Sequence, residues 1–182
     1  MNSVEVNLAG VEPPAWLRRC PGFVRKVLKA RGIEGWEVSI LLCNDRIIRD
    51  LNRRYRRLDE PTDVLSFGQE QENELHPEPG AAGAELPGGR RRGAGEKENE
   101  PEGATPPFPP VPGQRAAGDV VISLETLRRN AAASGIPESE ELKRLLIHGI
   151  LHLEGMDHPN EDAEMLEVQE RILALLKKER VF

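Results

Sequence analysis

A run of 47 residues from Gln69 to Arg115, holding 8 glycines and 9 prolines, divides this sequence and limits how much of it can build a core. The run shows almost no apolar periodicity and carries 9 acidic against 5 basic residues. A segment of that composition cannot bury enough apolar surface to offset the entropy of ordering its backbone. It reads as a disordered surface insertion rich in Gly, Pro and Glu, and it leaves 135 of the 182 residues to fold. That remainder fits one domain spanning 1–182 and interrupted at about 69–115. The insertion also carries −4 of the formal charge of −6, so the folded part is nearly neutral and overall acidity says little about partners.

Outside the insertion the apolar pattern alternates between strand and helix periods. Val4, Val6 and Leu8 alternate with polar neighbours, as in a half-buried strand. A helix is expected from Pro21 to Arg31, stopped by Gly32, and a second strand from Trp36 to Cys43. Asn44 occupies an N-cap position, and Ile47, Ile48, Leu51 and Tyr55 fall on one face of the helix it would start. Val64–Phe67 and Val120–Ile122 read as third and fourth strands, so the insertion lengthens the connection between neighbouring strands. Three helices follow, at about Leu124–Ala133, Glu138–Glu154 and Glu161–Glu179, with Pro137 and Asn160 at two starts and Gly155 at the end of the middle one. The fold class expected is α+β, or a small α/β: about four strands in a mixed sheet covered by helices.

Cys20 and Cys43 are the only cysteines and have neither metal-site spacing nor a disulfide-framework pattern. The first residues lack a basic and then apolar leader, and no run of about 18 apolar residues occurs. A reduced, cytoplasmic protein without a membrane span is the expectation.

Three of the four histidines fall within HGILHLEGMDH, from His148 to His158; His76 lies in the insertion. His148 and His152 are four residues apart in a helical pattern, which puts both imidazoles on one face. Gly155 lets the chain leave the helix through a positive φ and bring His158 back as a third ligand. Three protein ligands on a tetrahedral zinc ion leave one position for water, the arrangement of a catalytic site. The expected cofactor is therefore one Zn²⁺ at the end of a late helix. Asp157 adjoins a ligand and is placed to orient an imidazole through its second nitrogen. The pattern overlaps the H-E-x-x-H-x-x-G-x-x-H signature of zinc peptidases but has Gly149 where their general-base glutamate stands. A peptidase is accordingly the lowest-ranked function.

HGILHLEGMDH resembles the signature of the YbeY family, the zinc-dependent endoribonucleases and ribosomal RNA maturation factors of bacteria. LNRRYRRLDEPTDVLSF, Leu51–Phe67, is similar to the family's central motif, and GDVVIS, Gly118–Ser123, to its next strand. The resemblance runs in order over most of the folded part and breaks only at the insertion, which is longer than the family pattern. It implies a single-strand-specific metallo-endoribonuclease acting in ribosomal RNA maturation, in 3′-end processing of small-subunit rRNA, and in ribosome quality control. It also implies RNA within ribosomal particles as the partner, and a role in activity for Arg56, which matches the arginine of a Tyr-Arg motif.

Arg56 belongs to a cluster: Arg46, Arg49, Arg53, Arg54, Arg56 and Arg57 fall within twelve residues, opposed only by Asp50. Arginine forks match phosphate oxygens and stay charged at any physiological pH, so a one-sided patch suits an RNA backbone. Asp63, Thr62, Ser66 and Asp119 are weaker candidates, with turn or strand structure as their expected work; Asp119 is read as opening the last strand. A non-catalytic, zinc-stabilised RNA-binding assembly factor is the principal alternative, because the glutamate of the zinc peptidases is missing.

Overall fold

The computed structural model describes residues 1–68, 115–156 and 162–181. Asp157, His158 and Asn160, and the segment 69–114 with His76, lie outside the described residues. In chain order the described elements are β1 (Ser3–Ala9), α1 (Cys20–Ala30), β2 (Trp36–Cys43), α2 (Asp45–Arg56), β3 (Val64–Gly68), β4 (Arg115–Ser123), α3 (Leu124–Ser134), α4 (Glu138–Leu153) and α5 (Asp162–Leu175). A single 3₁₀ turn, Leu17–Arg19, leads into α1.

The strands form one mixed sheet in the order β1-β2-β4-β3. β1 and β4 flank β2 in parallel, and β3 runs antiparallel to β4 along the outer edge. Parallel neighbours need a crossover, which α1 supplies between β1 and β2. The antiparallel pair needs none, and Gly68 pairs directly with Gly118, so both ends of the long connection are held together by the sheet itself. Gly118 marks a bulge at which β4 shifts register against β2, with φ +133°. A Cβ there would lie 2.0 Å from the Phe67 carbonyl oxygen, so the position accepts no side chain.

Alternation along the strands splits the apolar residues between two faces. Val38, Ile40 and Leu42 of β2 and Val120 and Ile122 of β4 pack with Phe23, Val27 and Leu28 of α1 and Leu142, Leu146 and Ile150 of α4. On the opposite face a smaller cluster joins Cys43, Leu65 and Val121 to Ile48 of α2. Both cysteines are buried free thiols, each pushed up to about 12 by desolvation, so neither is a ready nucleophile.

Local chemistry explains the boundaries. α1 closes as a Schellman turn: Gly32, at φ +71°, donates to the Lys29 carbonyl at 3.0 Å and Ile33 to that of Leu28 at 2.9 Å. Asn44 caps α2, its Oδ1 accepting from the Ile47 amide at 3.1 Å while its Nδ2 donates to the Gly10 carbonyl at 3.0 Å. Ser123 caps α3 by accepting from the Thr126 amide at 3.2 Å, and its hydroxyl donates to Asp45 Oδ1 at 2.6 Å. Asp45 Oδ1 also accepts from Thr126 Oγ1 at 2.7 Å, and Oδ2 from Arg129 at 2.6 Å. Burial opposes the Asp45 charge, yet the bonds from Arg129, Ser123 and Thr126 prevail and hold its carboxyl below the usual range.

Three expectations need correction. Asp119 does not open a strand; β4 begins at Arg115, and Asp119 sits inside it between Ser39 and Phe67. Tyr55 is not on the buried stripe of α2 but 42% exposed, and Asn52, 2% exposed, lies under the helix instead. The reason is the returning loop, whose Glu60 carbonyl accepts from Asn52 Nδ2 at 2.9 Å. The last helix ends at Leu175, short of Glu179.

The tightest approach of helix to sheet is at Gly149, where a Cβ would lie 2.5 Å from Val120 Cγ1. Gly149→Ala should lower the unfolding free energy by about 1–3 kcal/mol in chemical denaturation. Gly22→Ala, in α1 with open space around its Cβ position, should leave stability unchanged or raise it by up to about 1 kcal/mol. Equal effects would show that contact with Val120 does not fix the residue. Asp45→Asn should cost about 1.5–3 kcal/mol at neutral pH, because it weakens charged hydrogen bonds. Since the folded-state pKa is depressed, that stabilisation is complete above the ordinary carboxylate range and is lost as pH falls through the lower folded value. Wild type and variant should therefore converge in acid denaturation midpoints below about pH 4.

Candidate metal centre

α4 presents the histidines. Glu138, Glu140 and Glu141 lie in its first turn, where carboxylates complement the helix dipole, and the Pro137 carbonyl accepts the amides of Glu140 and Glu141 at 2.9 and 3.2 Å. Its far end closes on Gly155, at φ +88°: Gly155 donates to the His152 carbonyl at 3.0 Å and Met156 to that of Leu151 at 3.2 Å. The chain thus turns out of the helix three residues after His152, as the glycine predicts.

Packing of the intervening residue decides where the imidazoles stand. The backbone at Gly149 lies on Val120, and Ser66 of β3 donates its hydroxyl to the Gly149 carbonyl at 3.2 Å. His148 and His152 stand to one side of that seam, half-buried, with ring centroids 4.5 Å apart and planes at 83°. Their Nε2 atoms face each other at 3.0 Å. Two nitrogen ligands of a tetrahedral zinc ion, each about 2.0–2.1 Å from the metal, are about 3.3–3.4 Å apart. The observed pair is within a few tenths of an ångström of that spacing, so these two donors fit a shared ion.

Behind His148 stands Gln169 of α5, 6% exposed, with its Oε1 3.2 Å from His148 Nδ1. With the carboxamide oxygen accepting, the tautomer protonated at Nδ1 leaves the Nε2 lone pair available to a metal. Fixing an imidazole through its second nitrogen is the usual support of a histidine ligand. Gln169 lies 21 residues downstream on a different helix, and no local pattern marks it. His158 and Asp157 are outside the described residues, and among the described residues no three His, Cys, Asp or Glu groups gather as a complete metal site.

Gly149 also carries a consequence for chemistry. A glutamate there would enter Val120 and Ser66, so the general base of the zinc peptidases has no room at that position. The helix is seated on the sheet by the residue whose absence of a side chain removes that mechanism.

The arginines divide into two sets. Arg49 makes a bidentate pair with Asp59 at 2.9 and 3.0 Å, and Arg53 meets Asp50 at 3.3 Å. Asp59 was not counted against the cluster because it lies beyond the helix; the loop after α2 carries it back. No ion pair is described for Arg46, Arg54, Arg56 or Arg57 among the described residues. Arg56 ends α2, which covers the face of the sheet opposite to α4, so edge strand β3 stands between it and the histidines. Asp63 and Thr62 serve the turn into β3: Asp63 Oδ1 accepts from the Val64 amide at 2.8 Å and from Thr62 at 3.2 Å, and Oδ2 from Asn130 at 3.2 Å. Burial raises the Asp119 carboxyl against a hydrogen bond from Ser39, on the face away from α4.

Comparison with known proteins agrees with this architecture. The family model described as Endoribonuclease YbeY matches residues 11–177. A relative from Treponema pallidum named Endoribonuclease YbeY is 40% identical over 178 residues, covering 96% of this chain and 89% of its own. One of the same name from Treponema denticola is 36% identical over 185 residues, covering 100% and 97%, and one from Borreliella burgdorferi is 36% identical over 163 residues, covering 88% and 85%. A solution structure of a Thermotoga maritima protein shares the fold, with a TM-score of 0.54 at 22% identity over 98% of this chain and 91% of that one. By its sequence, and with a sheet and helices arranged as described, the chain belongs to the YbeY family.

Proposed function

We propose that this protein is a zinc-dependent endoribonuclease that hydrolyses phosphodiester bonds in single-stranded RNA during ribosomal RNA maturation. The observation that carries the reading is the pair of Nε2 atoms converging at 3.0 Å, with Gln169 fixing one ring from behind. The relatives' shared name, Endoribonuclease YbeY, supplies the reaction class. Ribosomal RNA as the substrate, the cytoplasm as its location, and single-strand preference follow from the family resemblance.

His148, His152 and His158 would hold the ion. When bound, zinc acidifies a water ligand toward a pKa of about 7 and polarises a phosphoryl oxygen. The protein's own groups do the rest. Gln169 keeps the His148 lone pair directed at the site, and Asp157, next to His158 in sequence, would hold that ring in the same way. Arg56, at the end of α2 and without an ion pair among the described residues, would grip phosphate oxygens of a strand passing over the β3 edge. The packing at Gly149 favours phosphodiester over peptide hydrolysis and also keeps one alternative in play. A chain without that glutamate serves equally as a zinc-stabilised RNA-binding assembly factor, and cleavage separates the two.

Elemental analysis should find about one zinc per chain, lost in His148→Ala. Gln169→Leu should weaken zinc by about 10–100-fold in competition with a chromophoric chelator; unchanged affinity would remove Gln169 from the site. Purified zinc-loaded protein should cut a defined single-stranded RNA, and His152→Ala prepared in parallel should not. Equal cutting by both would indicate a contaminating nuclease, and RNA binding without cutting would favour the assembly factor. Arg56→Ala should keep its zinc and lose at least about tenfold in kcat/KM, chiefly through KM.

A further inference from the structure

The end of α2 holds an aromatic group that neither the core nor the metal centre uses. Tyr55 is the only tyrosine in the chain and, at 42% exposed, the only exposed aromatic among the described residues. Trp16, Trp36, Phe23 and Phe67 are all at least half-buried. Tyr55 is nonetheless held in place, with its ring edge-to-face with Phe67 of β3 at a centroid distance of 4.9 Å and 60° between planes. Leu58, three residues on, is 50% exposed as well.

Charge surrounds that surface. Successive helical residues are about 100° apart, so Arg54 and Arg56 leave α2 on either side of Tyr55. Neither has a described ion pair, in contrast to Arg49 and Arg53. Arg57 follows in the left-handed conformation, φ 61°, the only described non-glycine residue with positive φ. Glycine ends a helix there without strain. An arginine at that position carries backbone strain of about 1 kcal/mol and adds a third guanidinium with no ion pair among the described residues. A ring held against Phe67, with three arginines next to it in sequence that have no ion pair among the described residues, suits an unpaired base with its phosphates.

We infer that Tyr55, braced by Phe67, is a stacking platform for one unpaired nucleobase, with the phosphates on either side held by Arg54, Arg56 and Arg57. The inference rests on the RNA reading above and adds to it a residue that selects bases. Phe67 lies on the α2 side of β3, whereas the next residue back, Ser66, faces α4 and touches Gly149. The stacked base is therefore on the other side of the sheet edge from the histidines, and the strand must bend round β3 to reach them. A duplex cannot follow that path with a base splayed out, so the platform favours single strands. Being remote from the reacting bond, it contributes to binding in the ground state and transition state alike.

The test uses the full-length, zinc-loaded protein and two probes: a ten-nucleotide oligoadenylate and an abasic ribose-phosphate strand of equal length. Wild type should bind oligoadenylate more tightly, and equal affinity for both probes would overturn the inference without any variant. Tyr55→Leu should lose about 5- to 150-fold for oligoadenylate, corresponding to stacking of one base, and nothing for the abasic strand. Tyr55→Phe should retain the preference, and Arg54→Ala should weaken both probes alike with a shallower salt dependence. On a cleavable RNA, Tyr55→Leu should raise KM with little change in kcat. A wild-type protein that neither binds nor cuts RNA refutes the RNA reading and this one with it. A wild type that binds and cuts, beside a folded Tyr55→Leu protein of undiminished affinity, refutes the platform alone.

Discussion

The seat of α4 on the sheet at Gly149 governs both the candidate metal centre and the chemistry open to it. The helix backbone lies against the Val120 methyls with no room for a Cβ, and the Ser66 hydroxyl reaches the Gly149 carbonyl from the neighbouring strand. Close packing has no slack of this kind to give, since interiors are as dense as organic crystals. The rotation of α4 about its own axis is thereby set, and with it the side on which residues 148 and 152 emerge. One turn of helix then brings the two rings within 4.5 Å, and α5 contributes Gln169 to hold the first. Precision at the imidazoles is inherited from a contact that involves neither of them.

A second lock acts at the opposite face. Asp45, in the first turn of α2, accepts from Ser123, Thr126 and Arg129, and its amide donates to Glu125 at 2.8 Å. The start of α3 therefore satisfies a terminal amide of α2, and Asp45 in return accepts from side chains of the α3 cap and first turns. Asn44 ties the same helix start to Gly10 after β1. With its beginning held at three points, the far end of α2 projects along the β3 edge in a fixed direction, carrying Tyr55 and Arg56 with it.

Much of this was legible in the sequence because it depends on local rules. The alternation in WEVSILLC, the Asn44 cap and the glycines at 32 and 155 each act within a few residues: β2, α1 and α4 begin and end within a residue or two of where those signals put them, and α2 starts directly after its cap. The His148–His152 pair was legible for the same reason, since helical spacing alone places both rings on one face. What escaped was set by contacts far apart in the chain. Gln169 reaches His148 from another helix, Asp59 returns to neutralise Arg49, and the Glu60 carbonyl makes a buried place for Asn52 while Tyr55, assigned by apolar periodicity to the same face as Leu51, stays exposed. Asp119 was misplaced because the bulge at Gly118 extends β4 backward through residues that carry no strand pattern.

The same pleat that builds the core separates the two halves of the proposed site. Ser66 and Phe67 are consecutive, so they face opposite sides of an edge strand, one toward the imidazoles and the other toward the aromatic and basic end of α2. An interior strand would bury that separation within the sheet, whereas an edge strand lets a flexible ligand cross from one face to the other. Cationic groups held close to the histidines would repel Zn²⁺ and lower their affinity for it. Across the thickness of a strand they attract a polyanion without that penalty, because charge interaction falls with distance and with the intervening solvent. On the proposed reading, the antiparallel placement of β3 outside β4 would do more than complete the sheet: it would set where backbone recognition ends and where metal chemistry begins.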